Sequence, residues 1–239
     1  MNSLIAHSII KIGKDLKNVI LIGVPIMSGF LVVVEHLEPC LNRWILAEYE
    51  FVAKIYGSRV IFTNIKNKEH YRILSRYAKV YNISITDMLK DCDHVIVLDP
   101  EADKELEPEE LASIEYVILG GIMGNHPPRK RTKLYITNRL PHSRARNLGK
   151  LQYTISGATY VLRQIELGKK VRDIKFIYGL NVKKILGNNV EVDIHLPYAF
   201  PLDEYGNIVL PDDYLEIVTN HLIVHESRIL TTTVKDNIC

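Results

Sequence analysis

The sequence predicts an α/β protein: a parallel β-sheet with helices on both faces. Three observations carry that expectation. Short apolar, β-branched runs recur at Phe30 to Val34, Arg59 to Thr63, His94 to Leu98 and Tyr116 to Leu119, apolar enough throughout to be buried on both sides. Amphipathic stretches of helical length separate them, as parallel crossovers require. Charged residues and glycines then cluster where these runs end, and open α/β sheets bind ligands at the C-terminal ends of their strands.

Taken in order, residues 1–28 place Lys11, Lys14 and Lys17 before an apolar run from Val19 to Val34. Gly23, Pro25, Ser28 and Gly29 interrupt it, and no small-residue cleavage site follows, so neither a signal peptide nor a membrane anchor is expected. Residues 1–28 read as an extension or a misassigned start before Met27, and residues 29–239 as a single domain. Phe30 to Val34 is the first strand and ends in Glu35, His36 and Glu38. Asn42 caps a helix from Arg43 to Tyr56 that Gly57 closes; its stripe of Trp44, Ala47, Phe51 and Ile55 faces the core, while Glu50 and Lys54 face water.

Arg59 to Thr63 is the second strand, Lys68 to Ala78 a second helix, Thr86 to Leu89 a short helical turn, and His94 to Leu98 a third strand ending in Asp99. The acidic segment to Ala112 reads as a helix. Tyr116 to Leu119 is the fourth strand, and it breaks at once into Gly120, Gly121 and Gly124, which permit close backbone approach to a ligand. Leu134 to Thr137 reads as a fifth strand, Asn138 to Gly149 as a loop, Ile155 to Leu167 as a helix stopped by Gly168, Val192 to Leu196 as a late strand and Pro211 to Val224 as a C-terminal helix.

The 239 residues carry a net charge of +2, which selects no partner, but the charge is segregated. Asp99 to Glu115 holds eight acidic residues and one lysine, whereas Arg129 to Lys150 holds eight basic residues and no acid. Such blocks form either two sides of a cleft or two solvated faces. Three distant cysteines give neither a disulfide framework nor a CxxC motif, which fits a reducing, cytoplasmic setting, and the His221/His225 pair lacks the partners of a metal site. GxGxxG, GxxxxGK and GxSxG are all missing, which disfavours dehydrogenases, P-loop enzymes and serine hydrolases.

Four stretches in register carry a resemblance: EHLEPCLNRWILAEYEF, LDPEADKELEPEEL, GGIMGNHPPRKRT and LPHSRARNLGKLQYTISGATYVL. They resemble the SPOUT methyltransferases, within them the protein-arginine branch known from yeast that modifies a small-subunit ribosomal protein. The resemblance implies a C-terminal trefoil knot and S-adenosylmethionine as cofactor. By position it assigns cofactor contacts to Leu119, Gly120, Gly121, Gly124, Leu140, Pro141, Asn147, Leu148, Gly149, Gln152, Tyr153 and Thr154. An acceptor arginine is a cation approaching a cationic sulfonium, so carboxylates are needed beside it. Glu35, Glu38 and Asp99 are the candidates, with His126 to take a proton and Arg129 and Arg131 to face the substrate.

The family pattern GDHPPRDR has acids where this chain has Asn125 and Lys130. The expected acceptor is a ribosomal protein. Ribosomal or transfer RNA, or a non-catalytic ribosome-binding role, are the alternatives. No metal and no membrane are expected, and the branch implies a monomer where its wider family is commonly homodimeric.

Overall fold

The structure is a computed structural model that describes residues 29–124, 128–186 and 190–219. The expectations for residues 1–28, for His126 and Asn125, and for the His221/His225 pair therefore lie outside the described residues. Its centre is a six-stranded sheet, parallel throughout, in the order β3 (Lys79–Val80), β2 (Val60–Thr63), β1 (Leu31–His36), β5 (Tyr116–Gly121), β4 (Val95–Leu98) and β6 (Arg144–Arg146). β1, β2, β4 and β5 are the four strands expected from their apolar runs.

Alternate residues of these strands build two cores. Val32, Val34, Phe62, Ile96 and Leu119 pack with Ile45, Tyr49 and Val52 of α1 (Arg43–Tyr56) and Val161, Leu162 and Ile165 of α5 (Ile155–Glu166). Leu31, Val33, Ile61, Val97 and Ile118 pack on the opposite face with Ile85, Ile136 and Leu140. Both faces are covered, which is why the strands read as continuous apolar runs.

Local signals explain α1 well. The Asn42 side chain accepts the Ile45 N–H at 2.9 Å, and Gly57 closes the helix at a φ of 55°, in the left-handed region glycine favours. Its apolar surface is wider than the expected stripe, because Ile45, Tyr49, Val52 and Tyr56 are buried along with Ala47 and Phe51. α2 (Lys68–Leu74) stops short of Ala78, and the edge strand β3 (Lys79–Val80) follows it. α3 (Ile85–Met88) is the expected short turn.

Four expectations are corrected. The acidic segment is irregular up to a 3-10 turn at Pro108–Ser113, because its chain runs alongside Asn147 and spends backbone hydrogen bonds there. Leu134 to Thr137 is not a strand: α4 (Arg131–Tyr135) and a 3-10 turn (Thr137–Arg139) occupy it. The sixth strand is β6 (Arg144–Arg146), paired with β4, where a loop was expected. The late strand at Val192 to Leu196 belongs to an unforeseen antiparallel hairpin of β7 (Phe176–Leu186) and β8 (Val190–Pro201).

Residues 214–219 are helical, within the expected C-terminal helix. Tyr214 and Val218 from this helix pack with Leu196, Tyr198 and Phe200 of β8, and Trp44 of α1 joins them, its indole donating to the Tyr214 hydroxyl at 2.9 Å. Among the described residues, no helix is long and apolar enough to cross a membrane.

Candidate functional site

A cavity of about 560 Å³ opens where β4, β5 and the first turn of α5 end or begin. Three loops build its walls. After β4 come Asp99, Pro100, Glu101, Ala102 and Asp103; after β5 come Ile122, Met123 and Gly124; before α5 come Leu148, Gly149, Lys150, Leu151, Gln152, Tyr153 and Thr154. Arg129, Lys130, Arg131 and Thr132 close a fourth side, with Leu98, Leu119, Ile155 and Ala158 as apolar floor. Its size is that of a site for a small organic molecule, roughly 300–1,000 Å³. The segregated charge blocks thus become two sides of one cleft, acids after β4 facing the basic segment before and within α4.

The first turn of α5 is fixed from several directions. Thr154 caps the helix by accepting the Gly157 N–H at 3.0 Å. Glu48 of α1 is 1 % exposed and accepts the Ser156 N–H at 2.5 Å. Burial pushes its carboxyl pKa up, opposed by the hydrogen bonds of Ser156 and by nearby Tyr214 and Trp44. The hairpin completes the wall: Ala199 N–H donates to the Gln152 carbonyl at 2.8 Å, and the Tyr198 hydroxyl donates to the Gly124 carbonyl at 3.1 Å. A Cβ at Gly124 would overlap Gln152 and Tyr198, so this glycine is required by close approach.

Of the cofactor contacts expected by position, Leu119, Gly120, Gly124, Leu148, Gly149, Gln152, Tyr153 and Thr154 line the cavity. Gly121, Leu140, Pro141 and Asn147 are not among its lining residues. Gly121 instead packs against Tyr49, and Leu140 is buried in the core on the other face of the sheet. Asn147 holds two walls together, donating to the Ala102 carbonyl at 2.8 Å and accepting the Gly149 N–H at 2.9 Å.

The expected carboxylates part company. Asp99 lines the cavity but is 2 % exposed, its oxygens accepting from the Glu101 N–H at 2.9 Å and the Thr137 hydroxyl at 2.7 Å. Glu35 is 1 % exposed and points away from the cavity, taking hydrogen bonds from Thr63 and Ser84 at 2.5 Å each and from the Ile85 N–H at 3.0 Å. Burial raises its pKa against those donors. Glu38 and Arg131 face each other at 2.8 Å, so each satisfies the other's charge. Arg129 lies exposed at the cavity.

Lys130, where the family pattern has an acid, pairs with Glu101 at 2.7 Å across the mouth. Sequence reasoning missed Glu101, Asp103, Met123 and Ala158 as lining residues; the acidic block was the signal for the first two, and nothing local marks the others. Among the described residues, no group of three or more His, Cys, Asp or Glu side chains is placed to hold a metal.

A parallel sheet whose strand ends open into a loop-walled cavity, with a glycine loop on one side and a helix N-terminus on another, defines an α/β ligand-binding protein. Residues 31–224 match the family model of SFM1-like protein arginine N-methyltransferases, and the chain belongs to that family. It is 30 % identical over 205 residues to the protein arginine N-methyltransferase SFM1 of Saccharomyces cerevisiae, covering 78 % of this chain and 92 % of that protein. The crystal structure of yeast SFM1 complexed with SAM is similar to it with a TM-score of 0.67, 25 % identity, and coverage of 80 % of this chain and 90 % of the other. The same protein complexed with SAH gives a TM-score of 0.68, 25 % identity, and 79 % and 94 % coverage.

Proposed function

We propose that this chain is an S-adenosylmethionine-dependent methyltransferase acting on an arginine of a protein, and that the acceptor is a ribosomal protein. The observation that carries the reading is the cavity itself, which lies at the glycine loop of a chain belonging to an arginine methyltransferase family. The residues present suit the cofactor. Leu98, Leu119, Leu148, Ile155 and Ala158 give an apolar bed for a purine, and the polar rim offers both signs of charge to an amino-acid tail. At Gly120 a Cβ would stand 3.1 Å from Thr132 Oγ1 and from Ile122, narrowing the cavity where backbone approaches it.

The bound cofactor supplies an electrophilic methyl on a sulfonium. The protein's part is to align an acceptor nitrogen behind it and exclude water, more than to supply a strong base. The acids after β4 suit the remaining task, which is to offset the repulsion between two cations as the guanidinium enters. Asp99 and Asp103 line that wall, with Glu101 shared with Lys130. Asp99→Asn is expected to lower the methylation rate about tenfold or more, the cost of losing one charge-assisted interaction, with folding intact by circular dichroism.

Incubating the purified protein with radiolabelled S-adenosylmethionine and small ribosomal subunits tests the whole reading. Label in one protein band, resistant to ribonuclease and recovered as methylarginine after hydrolysis, is the expected result. Label that disappears with ribonuclease identifies an RNA acceptor instead, and absence of label from both fractions leaves a binding protein.

A further inference from the structure

We infer that Glu38 and Arg131 are positioning residues that clamp the backbone of Met123, and through it the glycine loop of the cofactor cavity. The two side chains come from separate segments, Glu38 two residues beyond β1 and Arg131 at the start of α4. They converge on the backbone of one residue, Met123. Glu38 Oε1 accepts the Met123 N–H at 2.9 Å and the Arg131 guanidinium at 2.8 Å, while a second guanidinium nitrogen of Arg131 donates to the Met123 carbonyl. Both backbone polar groups of a cavity-lining residue are thus held by one ion pair.

The pair is mostly shielded, with side-chain exposures of 15 % for Glu38 and 23 % for Arg131. Removing either partner leaves the other charge uncompensated and frees one backbone group of Met123, its N–H when Glu38 is lost or its carbonyl when Arg131 is lost. Gly124 next to it is pinned independently by Tyr198, so a broken clamp loosens the loop at Met123 without unseating the hairpin. The consequence falls on the cofactor. A loop that must be ordered on binding weakens affinity by the ordering cost, whereas chemistry after binding proceeds on an ordered loop.

This inference rests on the reading of the cavity as a cofactor site, and the experiment separates the two. S-adenosylhomocysteine is titrated by calorimetry into the wild type, Glu38→Gln, Arg131→Gln and the double variant, with melting temperatures alongside. Wild-type binding is expected; its absence overturns the cofactor reading. Each single variant is expected to bind about tenfold more weakly, as loss of a charge-assisted hydrogen bond implies. The double variant is expected to bind no worse than the weaker single, because the two residues grip Met123 as one ion pair and neither is left with an uncompensated charge.

If the variants bind as the wild type does, or if Glu38→Gln raises only the KM for the acceptor protein, the clamp is wrong and Glu38 contacts the acceptor. Should Arg131→Gln fail to fold, Arg131→Lys, which keeps the charge and loses the two-pronged grip, carries the same expectation.

Discussion

Gly121→Ala is expected to destabilise the protein by about 3 kcal/mol, the upper part of the usual range for overpacking a core. Gly121 ends β5, in register with His36 of β1. A Cβ there would overlap the Tyr49 hydroxyl and lie 2.8 Å from the Glu35 carbonyl. Neither neighbour can retreat. Tyr49 is fully buried, stacked on Phe62 with ring centroids 5.1 Å apart, and its hydroxyl is shared with His36 Nδ1 at 2.8 Å. The Glu35 carbonyl belongs to the central strand. Urea denaturation would measure the loss, and a change below about 0.5 kcal/mol, the scale of an unremarkable surface substitution, would refute the packing argument. Gly121→Ala combined with Tyr49→Phe should recover part of the loss by removing the hydroxyl, but not the share due to the Glu35 carbonyl.

The second large effect is a loss of stability in mild acid. Burial, and then the neighbouring His70 ring 6.0 Å away, lower the His36 pKa from 6.5 to about 4. Between those values the unfolded chain binds a proton that the native protein refuses. His36 therefore contributes stability fully present above pH 6.5 and lost as the pH falls towards 4, in total about 3 kcal/mol at 1.36 kcal/mol per unit. Glu35 and Glu48 work in the opposite direction: burial raises both, so the native state holds their protons more tightly and gains stability as the pH falls towards 4.5.

The His36 contribution is isolated by comparison with His36→Asn, which cannot titrate. The stability difference between wild type and variant should shrink by about 3 kcal/mol from neutrality to about pH 4. A difference that stays constant over that range would mean that His36 is protonated in the native state as readily as in the unfolded one.

The parallel core was legible because burial on both faces leaves an unmistakable apolar run, and α1 because Asn42 and Gly57 mark its ends. The rest failed for identifiable reasons. β6 reads Arg-Ala-Arg, with no apolar signal, since it is an edge strand specified by its pairing with β4 rather than by its own burial. β7 was hidden by Gly179, whose φ of 73° and register shift between Tyr178 and Leu180 break the alternation a strand would show. Leu134 to Thr137 has strand-like composition, but it lies in a short helix and turn beneath the cavity's basic side. In the site, the glycine loop and the helix start are marked in the sequence, whereas Glu38 reads there as a carboxylate for the acceptor and Arg131 as facing the substrate, because their partnership with each other spans distant segments.

The hydrogen bonds from Tyr198 and Ala199 to the cavity loops also bear on when the protein acquires its cavity during synthesis. A nascent chain that has emerged as far as the end of α5 contains every strand of the parallel sheet and all three loops, yet Gly124 and Gln152 still await their partners. The wall is complete only when β8 has left the ribosome and docked, so the cavity is finished late, by chain added after the scaffold is complete.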